Sequence, residues 1–160
     1  MSHRILIAKQ ARTLQLILDG HVEREYAIAL GRNAEADKSV EGDQATPLGE
    51  FYICAKNPRS KYFLSLCISY PNAEDAERGL AAGLIGLDEY RQILDALHAG
   101  KMPPQHTRLG GEIYIHGRGP EEFGTAPPQR DWTRGCIALD NSDMQELYDL
   151  VDIGTAVRID

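Results

Sequence analysis

The chain has 160 residues, about one domain's worth, and a chain of this size buries roughly 70% of its unfolded surface without help from a disulfide or a metal. Apolar residues make up 42% and charged residues 26%, which excludes a disordered or fibrous chain. Acids outnumber bases 24 to 17, a formal charge of −7, which argues against a nucleic-acid partner because such surfaces carry clustered Lys and Arg.

The first third reads as antiparallel sheet. Arg4-Ile5-Leu6-Ile7-Ala8 and Thr13-Leu14-Gln15-Leu16-Ile17-Leu18 are short apolar runs, the second partly alternating as a half-buried strand requires. Asp19-Gly20 suits a tight hairpin turn, and residues 22–30 complete a meander that Gly31 ends. Residues 32–46 are polar and predict an exposed loop. Tyr52-Ile53-Cys54-Ala55 reads as a strand. Residues 63–70 read as another, with Phe63, Ser65, Cys67 and Ser69 on one face and Leu64, Leu66, Ile68 and Tyr70 on the other.

Residues 72–100 change period. Asn72 caps a predicted helix to Leu80, and a second helix over 87–99 places Leu87, Tyr90, Ile93, Leu94, Leu97 and His98 on one face before Gly100 and Pro103-Pro104. Ser142-Asp143-Met144-Gln145 fits a capping box, so a helix is expected over 142–151, followed after Gly154 by a last strand at 155–159. No apolar run approaches the ~20 residues of a membrane span, and the opening MSHRILIAKQ has no apolar signal-peptide region. Cys54, Cys67 and Cys136 are odd in number, so at least one lacks an intramolecular partner. The first two sit in strand-like runs and are expected to be buried as small hydrophobes.

The stretch that carries chemistry is Ile113-Tyr114-Ile115-His116-Gly117, a Gly/Pro-rich excursion, then Thr133-Arg134-Gly135-Cys136-Ile137-Ala138-Leu139. A strand ending in His-Gly puts an imidazole at a sheet edge, where the glycine admits a close neighbour. A Cys directly after Gly sits on a turn, whose backbone N–H groups can converge on an oxyanion. A thiol needs a base or a positive charge beside it to become a nucleophile, and His116 and Arg134 are the local candidates. His106, His116 and Cys136 lack the close paired spacings of a zinc site, so no metal is expected. His3, His21, His98 and His106 are expected at the surface. The acidic pairs Glu74-Asp75, Asp88-Glu89 and Glu121-Glu122 read as solvated faces rather than paired catalytic carboxylates.

His116, a spacer of sixteen residues, then Thr133-Arg134-Gly135-Cys136 resembles the signature of the YkuD-type L,D-transpeptidase catalytic domain. Upstream, Thr46-Pro47-Leu48-Gly49-Glu50-Phe51 is similar to that family's T-P-x-G-x-F element, and the helix and strand after the Cys motif match its C-terminal layout. The resemblance covers nearly the whole chain, with 72–106 the poorest match. It implies a mainly β fold, a β-sandwich or curled mixed sheet with one to three short helices packed on it, in one domain over 1–160. It also implies Cys136 as nucleophile and His116 as general base, with Gly117 beside the base. Arg134-Gly135-Cys136 would supply oxyanion donors, and the Thr133 hydroxyl would orient the motif.

The implied substrate is a peptidoglycan stem peptide. The thiolate attacks the carbonyl of its third residue, expels the terminal D-alanine and passes the acyl group to an amine, or to water in an L,D-carboxypeptidase or amidase. Carbapenem-type β-lactams are implied covalent inhibitors, and no cofactor is needed. A non-catalytic module that binds wall peptides is a further alternative. Trp132 and Tyr114 are candidate pocket walls. Arg134 stands where the family often has a second His, and it keeps a positive charge beside the thiol. Ala138 stands where many members carry Arg or Asn, and residues 72–106 form an insertion that is either a lid or a surface packing unit. Such a substrate implies the periplasm or cell envelope, and the absence of an export signal at the start leaves a processed or cytoplasmic form open.

Overall fold

In a computed structural model, which describes residues 2–119 and 131–160, β1 (His3–Ala8), β2 (Thr13–Leu18) and β3 (His21–Ala27) form the expected meander. Ile5 faces Leu16 and Ile7 faces Leu14 across the first pair, and all four are fully buried. Asp19 and Gly20 both adopt positive φ, 50° and 83°, the turn that matches the twist of the flanking strands. β4 (Gly49–Ser60) is three times longer than predicted. Its first half pairs with β8 (Ala156–Ile159) and its second with β5 (Phe63–Ile68), so one strand serves both halves of the sheet. The register slips between Ile53 and Ala55, which leaves Cys54 in the irregularity and bends the strand there.

Among the described residues eight strands make one mixed sheet in the order β3-β2-β1-β8-β4-β5-β6-β7, with β6 (Tyr114–His116) and β7 (Ile137–Ala138) at the far edge. β1–β8 and β6–β7 are parallel and the other pairs antiparallel. The chain leaving β3 then brings the two edges together. Ala29 and Ala138 exchange backbone hydrogen bonds of 2.9 Å in both directions. Thr133 N–H donates to Leu30 O (3.2 Å), and Arg32 N–H donates to Thr133 O (3.1 Å). The sheet is therefore the curled form of the expected fold. Its core is a single apolar cluster that includes Ile53, Leu66, Ile115, Ile137, Leu147 and Val157.

Three helices pack on this frame: α1 (Ala73–Ala81), α2 (Leu87–His98) and α3 (Asn141–Leu150). α1 and α2 lie where predicted and share a small apolar cluster of their own, Ala76, Ile85, Ile93 and Leu109. Within the predicted α2 face only Ile93 is fully covered, and Leu87 and His98 are exposed.

Several expectations need correction. α3 starts before Ser142, because the capping position falls on Asp140, and the Asn141 side chain is spent on the loop after β6. β5 does not alternate in burial. α3 packs against it, and the strand is covered from Leu64 to Ile68. Asp75 is buried rather than solvated. Burial pushes its carboxyl up to about 6 against the Asn72 N–H and Arg78 that hold it. His3 is half-buried and paired with Glu23 (2.9 Å). Cys54 is only half-buried, its thiol donating to Cys67 O (3.5 Å), whereas Cys67 is buried. The pair Glu121-Glu122 lies outside the described residues.

Residues 32–46 contain the largest departure from expectation: Lys38, Ala45 and Thr46 are all buried. Asp43 folds this loop around itself, accepting N–H bonds from Ser39, Val40 and Ala45 and an ion pair from Lys38 (3.0 Å). Burial opposes that charge, but the donors outweigh it and hold the Asp43 carboxyl below its usual range. Lys9 closes the loop from beneath, donating to Ala36 O (2.8 Å) and Thr46 O (2.6 Å).

Asn72 joins two parts of the frame. Its side chain accepts from Asp75 N–H (2.9 Å), Asp75 returns the bond to Asn72 N–H (3.0 Å), and Asn72 Nδ2 donates to Glu50 O on β4 (3.2 Å). Asn72→Ala is expected to lower unfolding free energy by about 1–2 kcal/mol, as loss of a helix cap does, measured by urea denaturation; Asn72→Ser, which keeps the cap, loses less.

Candidate active site

His116 ends β6, with Ser65 opposite it on β5, and it is 3% exposed. Its Nδ1 lies 2.6 Å from Gly117 O. A carbonyl can only accept, so Nδ1 carries the hydrogen and Nε2 keeps a lone pair, the state a general base needs. Tyr62 stacks on the imidazole at 4.6 Å and 21°, and Trp132 meets both rings edge-on at 5.8 Å. Burial in this box lowers the imidazole to about 4, against the pull of the Gly117 carbonyl, so His116 is neutral above that pH. Gly117 could hold no side chain: a Cβ there would sit 2.4 Å from Asn141 Oδ1 and 2.9 Å from Tyr62 O. Asn141 also accepts from Arg118 N–H (2.8 Å) and donates to Gly119 O (3.0 Å), which fixes the exit from β6.

Cys136 lies immediately before β7. In the parallel pair His116 is opposite Ala138, and Tyr114 N–H reaches Cys136 Sγ at 3.5 Å. Cys136 thus lies level with Tyr114 on the neighbouring strand, two residues before the position opposite His116. The half-buried thiol donates to Glu112 O at 3.3 Å. Glu112 has φ +55°, an uncommon conformation for a residue with a Cβ. Burial pushes the thiol up to about 11, with the Tyr114 N–H and Lys38 pulling it down and Glu112 pushing it further up. The expected cation was Arg134, but Arg134 is exposed, and the positive charge acting on the thiol is the buried Lys38.

The turn before Cys136 is fixed from several directions. Asp131 binds Arg12 (2.7 Å) and accepts from Leu30 N–H (3.1 Å), which anchors the chain entering the motif. Thr133 Oγ1 donates to Cys136 O (2.7 Å) and accepts from Gly135 N–H (3.1 Å). Gly135 has φ +134°, and a Cβ there would meet Ala45 O at 2.7 Å, so only glycine fits. The Cys136 N–H has no acceptor among the described residues. Tyr114 is half-buried, and burial raises its phenol to about 12. Trp132 Nε1–H is buried with no acceptor among the described residues.

The site thus brings together Cys136, His116, Gly117, Thr133, Gly135, Tyr114 and Trp132 and leaves Arg134 at the rim. Sequence reasoning gave no role to Tyr62, Lys38, Glu112, Asp131 or Gly31. Thr46 belongs to the T-P-x-G-x-F element, which is a sequence signal for it; a lone lysine in a polar loop gives none.

The family model of YkuD, the L,D-transpeptidase catalytic domain, matches residues 2–159. Among curated proteins, "Putative L,D-transpeptidase YqjB" of Bacillus subtilis (strain 168) is 26% identical over 156 residues, 97% of this chain and 69% of that protein. Among solved structures, the helical cell shape determining protein Pgp2 from Campylobacter jejuni is 26% identical with a TM-score of 0.68, covering 99% of this chain and 47% of that one. The L,D-transpeptidase LdtMt1 in complex with imipenem shares the fold at 14% identity and a TM-score of 0.56, covering 99% of this chain and 59% of that one. This chain therefore spans less than half of Pgp2.

With the imidazole low and the thiol high, the resting pair is neutral rather than thiolate and imidazolium. Alkylation of Cys136 by iodoacetamide, followed by mass spectrometry of its peptide, is expected to rise about tenfold per pH unit through neutral and mildly alkaline pH. A plateau from acid to neutral pH would instead show a preformed ion pair.

Proposed function

Because the chain belongs to the YkuD family of L,D-transpeptidase catalytic domains, we propose that it transfers the acyl group of a peptidoglycan stem peptide through a thioester on Cys136. The observation that carries this reading is the placement of His116, with Nδ1 on Gly117 O, and Cys136 on the paired β6 and β7 segments, where the Cys136 N–H has no acceptor among the described residues. Residues 1–160 act as one catalytic unit in this reading, and its place of work is the cell envelope.

The donor is a tetrapeptide stem. Cys136 turns its thiol from Glu112 O toward the substrate carbonyl. As Sγ attacks, His116 Nε2 takes the thiol proton, so no free thiolate has to accumulate. The carbonyl oxygen becomes an oxyanion that the Cys136 N–H meets, with the Thr133-Arg134-Gly135 turn around it. The imidazolium formed at His116 is stabilised by Gly117 O on Nδ1–H and by the face of Tyr62. When the tetrahedral state collapses, His116 returns the proton to the leaving D-alanine amine. An acceptor amine, deprotonated by His116, then attacks the thioester and regenerates the thiol.

Tyr114 and Trp132 wall the site, Trp132 through its edge-on contact with the His116 imidazole. Arg134 at the rim meets a substrate carboxylate, taking over charge recognition that an acidic chain cannot supply globally. The helical segment of 72–106 is tied to the loop of residues 32–46 by the Arg78–Asp37 pair (2.9 Å).

A carbapenem incubated with the protein is expected to give one covalent adduct by intact mass, absent in Cys136→Ala. His116→Ala should slow acylation by about 10²–10⁴-fold. With muropeptides, dimeric products show amine transfer, and monomers shortened by one residue show transfer to water. A wild type that forms no adduct, or an adduct that survives Cys136→Ala, overturns the assignment.

A further inference from the structure

We propose that Thr46 is a positioning residue for the reaction: its hydroxyl locks the Gly135–Cys136 peptide so that the Cys136 N–H points at the oxyanion. This rests on the Cys136 thioester chemistry above. Thr46 lies 89 residues away in sequence from Gly135 and is fully buried. Its Oγ1 accepts from Gly31 N–H at 3.1 Å and lies 2.8 Å from Gly135 O. The Gly135 carbonyl can only accept, so the single hydroxyl hydrogen of Thr46 points to it.

A trans peptide carries its C=O and N–H in one plane on opposite sides. Fixing Gly135 O toward Thr46 therefore turns the Cys136 N–H the other way, where it has no acceptor among the described residues. That plane needs an external anchor because it follows a glycine, the residue with the widest backbone freedom. The next plane has its own anchor, since Thr133 Oγ1 holds Cys136 O. Thr46 is in turn tied down from behind by Lys9 Nζ on its carbonyl at 2.6 Å. The surrounding backbones are closely packed. A Cβ on Gly31 would meet Gly135 Cα at 2.9 Å, and one on Gly135 would meet Ala45 O at 2.7 Å, yet among the described residues Gly135 O is held by the Thr46 hydroxyl alone.

Two reactions of the same thiol separate a positioning role from a packing role. Acylation by a carbapenem passes through an oxyanion and needs the N–H. Alkylation by iodoacetamide at a saturated carbon does not. Thr46→Val keeps the shape and removes the hydroxyl. It is expected to slow acylation by about 10- to 100-fold, short of the ~10²–10³ seen when an oxyanion donor is removed outright. Alkylation of Cys136 should stay within about twofold of the wild type, and Thr46→Ser should restore acylation. If Thr46→Val does not fold, Thr46→Ala, with room for a water on the Gly31 N–H, carries the same comparison. Acylation equal to wild type in either folded variant overturns the role of Thr46 alone. Acylation and alkylation falling together, unrescued by serine, also overturns it and leaves a packing residue. A wild type that alkylates but is not acylated overturns both this inference and the thioester chemistry beneath it.

Discussion

The segment that follows β3 does not leave the sheet at Ala27; it turns across to the opposite edge and pairs with the chain on both sides of the cysteine turn. Ala29 holds Ala138, and Leu30 and Arg32 hold Thr133. Between those two grips only Arg134, Gly135, Cys136 and Ile137 remain, and this short span carries the thiol. A free loop of that length samples many conformations. One clamped at both ends and pressed against Ala45 and Gly31 has few, and the entropy of ordering it is met during folding.

The same closure explains why a polar loop is found inside. Residues 32–46 leave the clamp at Arg32 and return to β4 at Gly49, so they must pass beside the cysteine turn. Their backbone groups cannot all reach water there. Asp43, Lys38 and Lys9 supply the missing partners, each bonded to carbonyl or N–H groups of the loop. The buried charges are thus structural first, and Lys38 then acts at a distance on the thiol.

Local signals in the sequence revealed the meander, both hairpin helices and the last strand, because period and turn residues act over a few positions. Asp19-Gly20 and Asn72 behave as their chemistry dictates. Signals failed where distant backbone decides. β4 runs through Asn57-Pro58-Arg59, which look like a turn, because β5 offers it a partner. α3 starts before its apparent capping box, with Asp140 at the capping position and the Asn141 side chain bonded to the loop after His116. In the site, the two motifs marked His116 and Cys136, but a motif cannot show that Tyr62 lies on the imidazole, that Lys38 rather than Arg134 acts on the thiol, or that Glu112 presents its carbonyl to it. Those are properties of β4, β5 and two loops meeting in space.

The burial of the Cys136 thiol, which donates to Glu112 O, has a consequence for its redox behaviour. Burial holds the thiol above its ordinary range, so little of it is thiolate at neutral pH. Peroxides and foreign disulfides attack through the thiolate, so the resting cysteine gives them almost nothing to react with. Burial therefore keeps the Cys136 thiol protonated at rest, and a protonated thiol is the form that oxidants attack least.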